Sequence, residues 1–321
     1  MTGIMKTKPY SAVEDFLRKN YLDIFQTVSI QLISRGVENQ NYLVETGKQA
    51  YVLRVYSRDH SITGSRKRAE IEFELDFMEH VRGQGVPAPE VIKNSSGAKI
   101  NEMFINEKFH YSVLFSFIQG EEALAYNSEN ARSMAETLLK LHKASQIYQY
   151  ETVRRWPGNI VGSSLAYYQE NRGLSDLYRH KLDSIYAQAA DGYKKIQSLP
   201  FPIGIVHGDI KLENVLFEGN HVIAILDFDD YRESYLVEEL TRTVMHDLHS
   251  VEQNVIRSGQ FELFRGVFAR DDSISAAEMG YFDIFLKARF LYDITVYIKN
   301  GLNGLVEELF VDPHVAEIIL A

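Results

Sequence analysis

The 321-residue sequence predicts an α+β chain, with a strand-rich first third and a mainly helical remainder. Three observations lead there. Two short alternating runs, 41–45 and 50–56, meet at Thr46-Gly47-Lys48, as a strand pair does. Apolar residues recur at helical spacing through 68–83 and again through 130–145. A second pair of apolar arms flanks Glu218-Gly219-Asn220, a hairpin turn signal. The length suits two lobes. The boundary is expected near Gly120, giving an N-terminal lobe over 1–119 and a C-terminal lobe over 120–321.

Ala12 to Tyr21 reads as a short amphipathic helix. In the second strand of the first pair, alternation puts Val52, Arg54 and Tyr56 on one face. Arg68 to Gly83 reads as a helix whose stripe is Ile71, Leu75, Met78 and Val81. Glu74 falls inside that stripe, and a carboxylate on a buried face is costly unless paired. Arg54 is its natural partner, with Glu70 as the alternative should the helix be rotated by a residue. Val86-Pro-Ala-Pro89 closes the helical region, and strands are expected over 100–104 and 111–117. Beyond Gly120, Met134, Leu138, Leu141 and His142 line one helix, with His142 a packing residue, and 283–300 forms another.

Composition limits the function classes. The chain is 45% hydrophobic and 24% charged, as a globular protein is. It has no cysteine, hence no disulfide framework or thiolate chemistry. A net charge of −10 argues against general nucleic-acid binding, which depends on Lys and Arg. No apolar run has the length of a membrane span, and the first residues lack a signal-peptide core, so the cytoplasm is the expected location. Loops of the type G-x-x-x-x-G-K-[ST] and elbows of the type G-x-S-x-G are both missing.

The chemistry gathers in one segment. His207-Gly208-Asp209 leads to Asn214, then to the apolar hairpin, then to Leu226-Asp227-Phe228-Asp229. A hairpin brings its own ends together, so Asn214 and Asp227 are expected to meet although thirteen positions separate them. An amide and a carboxylate so placed suit Mg²⁺, which favours one or two carboxylates plus phosphate oxygens and water. Asp209, just upstream, is then free to act on a substrate hydroxyl.

The pattern H-G-D-x-x-x-x-N, hairpin, D-F-D resembles the aminoglycoside phosphotransferase and choline kinase superfamily, relatives of the protein kinases. The opening Asn41-Tyr-Leu-Val and Tyr51-Val-Leu-Arg-Val-Tyr56 is most similar to the branch of type II homoserine kinases and a bacterial stress-response kinase. The resemblance implies a bilobal protein-kinase-like fold. It also implies ATP- and Mg²⁺-dependent transfer of the γ-phosphate to a hydroxyl, with Asp209 as catalytic base and Asn214 and Asp227 as metal ligands. Gly36 and Asn39 then belong to the loop over the phosphates, and Val52 lies over the adenine. Arg54 takes the position of the usual phosphate-facing lysine, paired to Glu74. Phe115, Ser116 and Phe117 become the hinge whose backbone meets adenine. Asp229, Asp230, Trp156 and Tyr168 become acceptor-binding candidates, as do Arg289, Tyr292 and Asp293, with a core cluster as the alternative for the aromatics. Glu239 is a brace beneath the catalytic loop. His246-Asp247-Leu-His249 reads as a solvated or packed helix face.

The acceptor stays open between a small amino alcohol or amino sugar and a protein Ser/Thr. The Arg54 departure also leaves room for a nucleotide-binding module without turnover.

Overall fold

The computed structural model describes residues 10–22, 29–35, 39–56, 66–105, 107–151, 160–174, 177–246, 248–270 and 274–320. Helix α1 (Ser11–Asn20) precedes three strands, β1 (Ser29–Arg35), β2 (Asn39–Glu45) and β3 (Ala50–Tyr56), that pair antiparallel in sequence order. Along β3, Tyr51, Leu53 and Val55 are buried while Val52 and Arg54 are half-buried, the period of two that a strand imposes. Helix α2 (Arg68–Gly83) comes next, then β4 (Val91–Ile92), β5 (Asn101–Ile105) and β6 (Lys108–Ser116). The sheet order is β1-β2-β3-β6-β4, with β5 also on β6. The inward residues of β3 join Tyr42, Val44, Leu114 and Met103 against Val13, Phe16 and Leu17 of α1. Val52 and Arg54 are thereby left on the opposite face, cross-strand from Phe115 and Val113. Strand β1 is an element beyond those the sequence pattern predicts. Asn39, expected in the loop over the phosphates, instead opens β2.

The second part begins with β7 (Glu121–Glu122), α3 (Ser128–Ile147), α4 (Ile160–Asn171) and α5 (Arg179–Ile196). Asn127 caps α3 in a reciprocal box with Asn130. Then come β8 (Ile203–Val206), the hairpin β9 (Val215–Glu218) and β10 (His221–Ile225), and β11 (Arg232–Tyr235), which pairs back onto β8. Helices α6 (Leu236–Met245), α7 (Phe261–Phe268), α8 (Ala276–Gly280), α9 (Phe282–Lys299) and α10 (Asn303–Val311) complete it. Helix α9 is the hub: α4, α5 and α6 all pack on it. Phe285, Leu286, Phe290, Leu291 and Ile294 are among its buried residues, and they lie on more than one side of the helix, as one covered from several directions requires.

Contacts divide the chain into two compact units, Met1–Glu79 with Pro89–Gln119, and His80–Ala88 with Gly120–Ala321. Residues 80–88, expected with the first unit, pack with the second. His80 Nε2 meets the Ala144 carbonyl at 2.9 Å, and the Pro87 carbonyl accepts from Ile225 N at 2.8 Å. Among the described residues, no helix is long and apolar enough to cross a membrane.

Candidate active site

The second unit carries a catalytic-type loop between β8 and β9. Its start is fixed from three sides. Gly208 has φ +88°, and a Cβ there would lie 2.4 Å from the Asp230 carbonyl, so only glycine fits. Arg232 on β11 reaches across to the Gly208 carbonyl at 3.3 Å and is itself paired to the buried Glu238. Glu239 on α6 lies under the turn and accepts from the amides of His207 and Gly208. Burial pushes the Glu239 carboxyl up, against the pull of His207, Arg232 and the two amides. His207 is fully buried, and its ring has a defined tautomer. Nδ1 accepts from Asp209 N at 3.2 Å, so Nε2 carries the proton and donates to the Leu226 carbonyl at 2.9 Å.

The hairpin closes as its turn signal requires. His221 pairs with Glu218 across a two-residue turn, and Leu226 N donates to the Asn214 carbonyl at 2.8 Å. That bond brings the residue before Asp227 onto Asn214. Asp227 has φ +64°, ψ +60°, left-handed for a residue other than glycine. Such a conformation costs energy and persists where the surroundings enforce it, often at functional positions. The Asn214 amide nitrogen donates to Asp209 twice, to its carbonyl at 2.8 Å and to Oδ2 at 3.0 Å. With its nitrogen so committed, Asn214 turns its amide oxygen elsewhere, the only atom of that side chain able to ligate a cation. The Leu226–Asn214 backbone bond brings Asp227 to the same end of the hairpin, and an amide oxygen with a carboxylate is a hard-oxygen pair of the kind that fits Mg²⁺.

Asp209 is held at both carboxylate oxygens. Oδ1 meets His246 Nε2 at 3.0 Å and Arg242 Nη2 at 3.6 Å, while Oδ2 meets Asn214 Nδ2 and, at 3.3 Å, Lys211 Nζ. Burial alone would raise this carboxyl, but His246, Lys211 and Arg242 together hold it well below the usual carboxylate range. Arg242 is pushed down to about 10 by burial, with Arg232 and Arg289 adding to the effect. Arg289 is locked to Asp293 one turn on by bonds of 3.0 and 2.9 Å, and its guanidinium lies 5.4 Å from the Tyr292 ring. Asp293 is in turn influenced by Arg242 and His246. Two of the sequence-predicted α9 residues, Arg289 and Asp293, thus interact with Arg242 and, for Asp293, with His246, groups that hold Asp209.

In the first unit, Arg54 lies on the half-open sheet face. Its Nε donates to Asn41 Oδ1 at 3.2 Å, its Nη1 is 3.8 Å from Glu74, and Phe115 lies 6.0 Å from its guanidinium carbon. Glu74 is only 2% exposed. It also accepts from Tyr56 Oη at 3.0 Å, and its tightest partner is Arg66. Arg66 in turn lies 5.6 Å over the Tyr56 ring. A buried carboxylate between two guanidiniums and a phenol is compensated without further help.

Residues 29–274 match the family described as APH, phosphotransferase enzyme family. The chain belongs to that family. It is 25% identical over 228 residues to a homoserine kinase of Zymomonas mobilis subsp. mobilis, covering 68% of this chain and 66% of that protein. With a homoserine kinase of Rhodopseudomonas palustris it shares 26% identity over 214 residues, 67% of this chain and 61% of that one. The chain thus spans slightly less than two thirds of these relatives. Among solved structures, a microcompartment-associated aminopropanol kinase superposes with TM-score 0.72 at 19% identity, over 96% of this chain and 98% of that one. An amicoumacin kinase in complex with AMP-PNP and Ca²⁺ gives 0.67 at 14% identity, over 97% and 93%. These likenesses establish the protein-kinase-like α+β fold.

Within this member of the family, the predicted residues fall into groups. Asp209, Asn214 and Asp227 come together around one loop and hairpin. Val52, Arg54, Glu74 and Phe115 share one region of the first unit. Asn39 is buried at the start of β2, opposite Tyr56. Ser116 N and Phe117 N, expected to face adenine, donate instead to the carbonyls of Glu90 and Ala50, so the sheet already uses both amides. Asp230 contributes its carbonyl beside Gly208, while Asp229, expected at an open mouth, is buried in the turn Phe228–Asp230. Tyr168 turns away toward α5. It donates to Asp183 at 2.7 Å beside Arg172, with the Tyr186 ring 5.5 Å away. Its neighbour Tyr167 is the one that faces α9, 5.1 Å from Tyr292. Gly36 and Trp156 lie outside the described residues.

Arg66, Lys211, Arg242 and His246 join the site without a sequence motif to mark them. His246, expected on a solvated or packed face, bonds Asp209. A signal for it exists in the sequence. Glu239, Arg242 and His246 stand at i, i+3 and i+7, the spacing of one helix face, with His246 just past the helix end. Once Glu239 is placed beneath the loop, the other two must lie on the same side.

Proposed function

We propose that the chain is an ATP- and Mg²⁺-dependent kinase that moves the γ-phosphoryl group to a hydroxyl of a small amino alcohol or amino sugar. The observation that carries this reading is the Asp209 carboxylate, fixed at both oxygens and bonded to Asn214, whose own carbonyl closes the hairpin ending at Asp227. The names of the relatives favour the amino-alcohol side, since homoserine and aminopropanol both carry an amine and a hydroxyl.

Asp209 accepts the acceptor's hydroxyl proton as that oxygen attacks the γ-phosphorus and the bond to ADP breaks. Its carboxyl is held ionised, so it first orients the hydroxyl and takes the proton late, as a loose transition state allows. Asn214 and Asp227 are the residues to hold Mg²⁺, which when bound neutralises phosphate charge. Arg54, steadied by Asn41 and Glu74, offers a guanidinium whose fork matches phosphate oxygens. Positioning and charge neutralisation supply most of the acceleration.

The test is coupled ADP release with ATP and Mg²⁺ against L-homoserine, 1-amino-2-propanol, an amino sugar and a Ser/Thr-rich protein, with Asp209→Asn as control. Release that depends on a small acceptor and is lost in the variant supports the reading. Equal release from Asp209→Asn would sink the base assignment. Nucleotide binding with no release on any acceptor would instead favour a binding module.

A further inference from the structure

We propose that His246 is a positioning residue for Asp209, aimed there by the same face of α6 that braces the catalytic loop. This rests on the reading of Asp209 as the carboxylate that meets the acceptor.

Three side chains, two on one face of α6 and one at its C-cap, act on three successive loop residues. Glu239 accepts from the amides of His207 and Gly208, and Arg242 and His246 reach Oδ1 of Asp209. Helix α6 ends at Met245, so His246 is its C-cap, set by the helix on one side and by the following chain on the other. Here the direction is built in. Asn254, fully buried, donates to the His246 carbonyl at 2.7 Å and accepts from the amides of Ile256 and Arg257. Arg257, also buried, ties the carbonyls of Leu248 and His249 to Asp312. The segment after α6 is therefore pegged at both its start and its end, and the imidazole is fixed beside Asp209.

The consequence is asymmetric. Oδ1 is filled by His246 and Arg242, with side chains only 13% and 15% exposed. Oδ2 has Asn214 on one side and the more exposed Lys211, 25% open, on the other. An incoming hydroxyl thus meets the carboxylate at Oδ2, in the place Lys211 occupies. His246 secures this by holding the carboxylate plane.

The experiment compares His246→Ala, His246→Gln and Asp209→Asn with the wild-type chain, using ATP, Mg²⁺ and L-homoserine or 1-amino-2-propanol. His246→Ala is expected to lower kcat about 10- to 100-fold, the cost of a misplaced reacting group, with KM for ATP changed by less than about twofold. His246→Gln, which keeps a donor in reach, is expected to recover most of that loss. A folded His246→Ala with kcat within about twofold of wild type, or a Gln variant no better than Ala, overturns the proposal while Asp209→Asn still tests the base separately. A readout independent of any acceptor is the imidazole ¹⁵N spectrum. Nε2 of His246 is expected to carry a proton at neutral pH and to shift in Asp209→Asn. A neutral ring with Nε2 bare also overturns the proposal.

Discussion

Glu239 lies beneath Gly208 and accepts its amide proton at 3.2 Å, while also taking that of His207. One buried carboxylate thus satisfies the two backbone donors that open the loop carrying Asp209. Glu239→Gln replaces one acceptor oxygen with a donor facing those amides. The expected loss is about 1–3 kcal/mol of stability, read from urea midpoints, the cost of an unsatisfied buried donor. Turnover should fall as well, because the loop carrying Asp209 shifts. Unchanged stability would mean that the amides find other partners.

Asp227 separates backbone from chemistry. Its left-handed conformation suits glycine better than aspartate. Asp227→Gly is expected to match or exceed wild-type stability by up to about 1 kcal/mol, and Asp227→Ala to lose about 1–2 kcal/mol. Both should abolish phosphoryl transfer and the Mg²⁺-dependent gain in ATP affinity. Calorimetric ATP titration with and without Mg²⁺ checks the second point.

The two arginines on Glu74 should divide labour. Arg66 is the tighter partner and is 7% exposed, while Arg54 stands 3.8 Å away on the half-open face. Arg66→Ala leaves a buried carboxylate undercompensated and should cost about 3–5 kcal/mol in thermal or urea unfolding. Arg54→Ala should cost far less stability but weaken ATP binding. The reverse pattern would move the phosphate role from Arg54 to Arg66.

Asp209 should leave a mark on acid stability. Burial opposes its charge, yet His246, Lys211 and Arg242 prevail and hold its carboxyl below the usual 3.8. A depressed folded value gives stability that is present above 3.8 and lost as pH falls through the lower folded value. The stability difference between wild type and Asp209→Asn should therefore be largest near about pH 6–7 and shrink below about pH 4. Urea midpoints across that range check it. A difference independent of pH would contradict the charged cluster.

The local elements are legible in the sequence because each has a local cause. The stripe Ile71, Leu75, Met78, Val81 is periodic, and all four residues are buried in α2. Gly219-Asn220 turns the hairpin where a turn pattern must, which joins Asn214 to the residue before Asp227. Glu74 inside an apolar stripe announces a buried ion pair, because an unpaired buried carboxylate is too costly to exist. Its main partner, Arg66, is invisible at that level because nothing local marks one arginine among several.

Sequence alone determined the α+β class and the closeness of Asn214 to the hairpin end before Asp227, since these arise from short-range periodicity and one turn, and its motif resemblance pointed to the family. Tertiary structure alone decided who surrounds Asp209. His246 and Arg242 lie 37 and 33 positions away, and reach it because β11 returns α6 beneath the loop. It also decided that Tyr167 faces α9 while Tyr168 faces Asp183 and α5. Adjacent helical residues point about 100° apart, and only the packing of neighbouring helices says which direction holds the site.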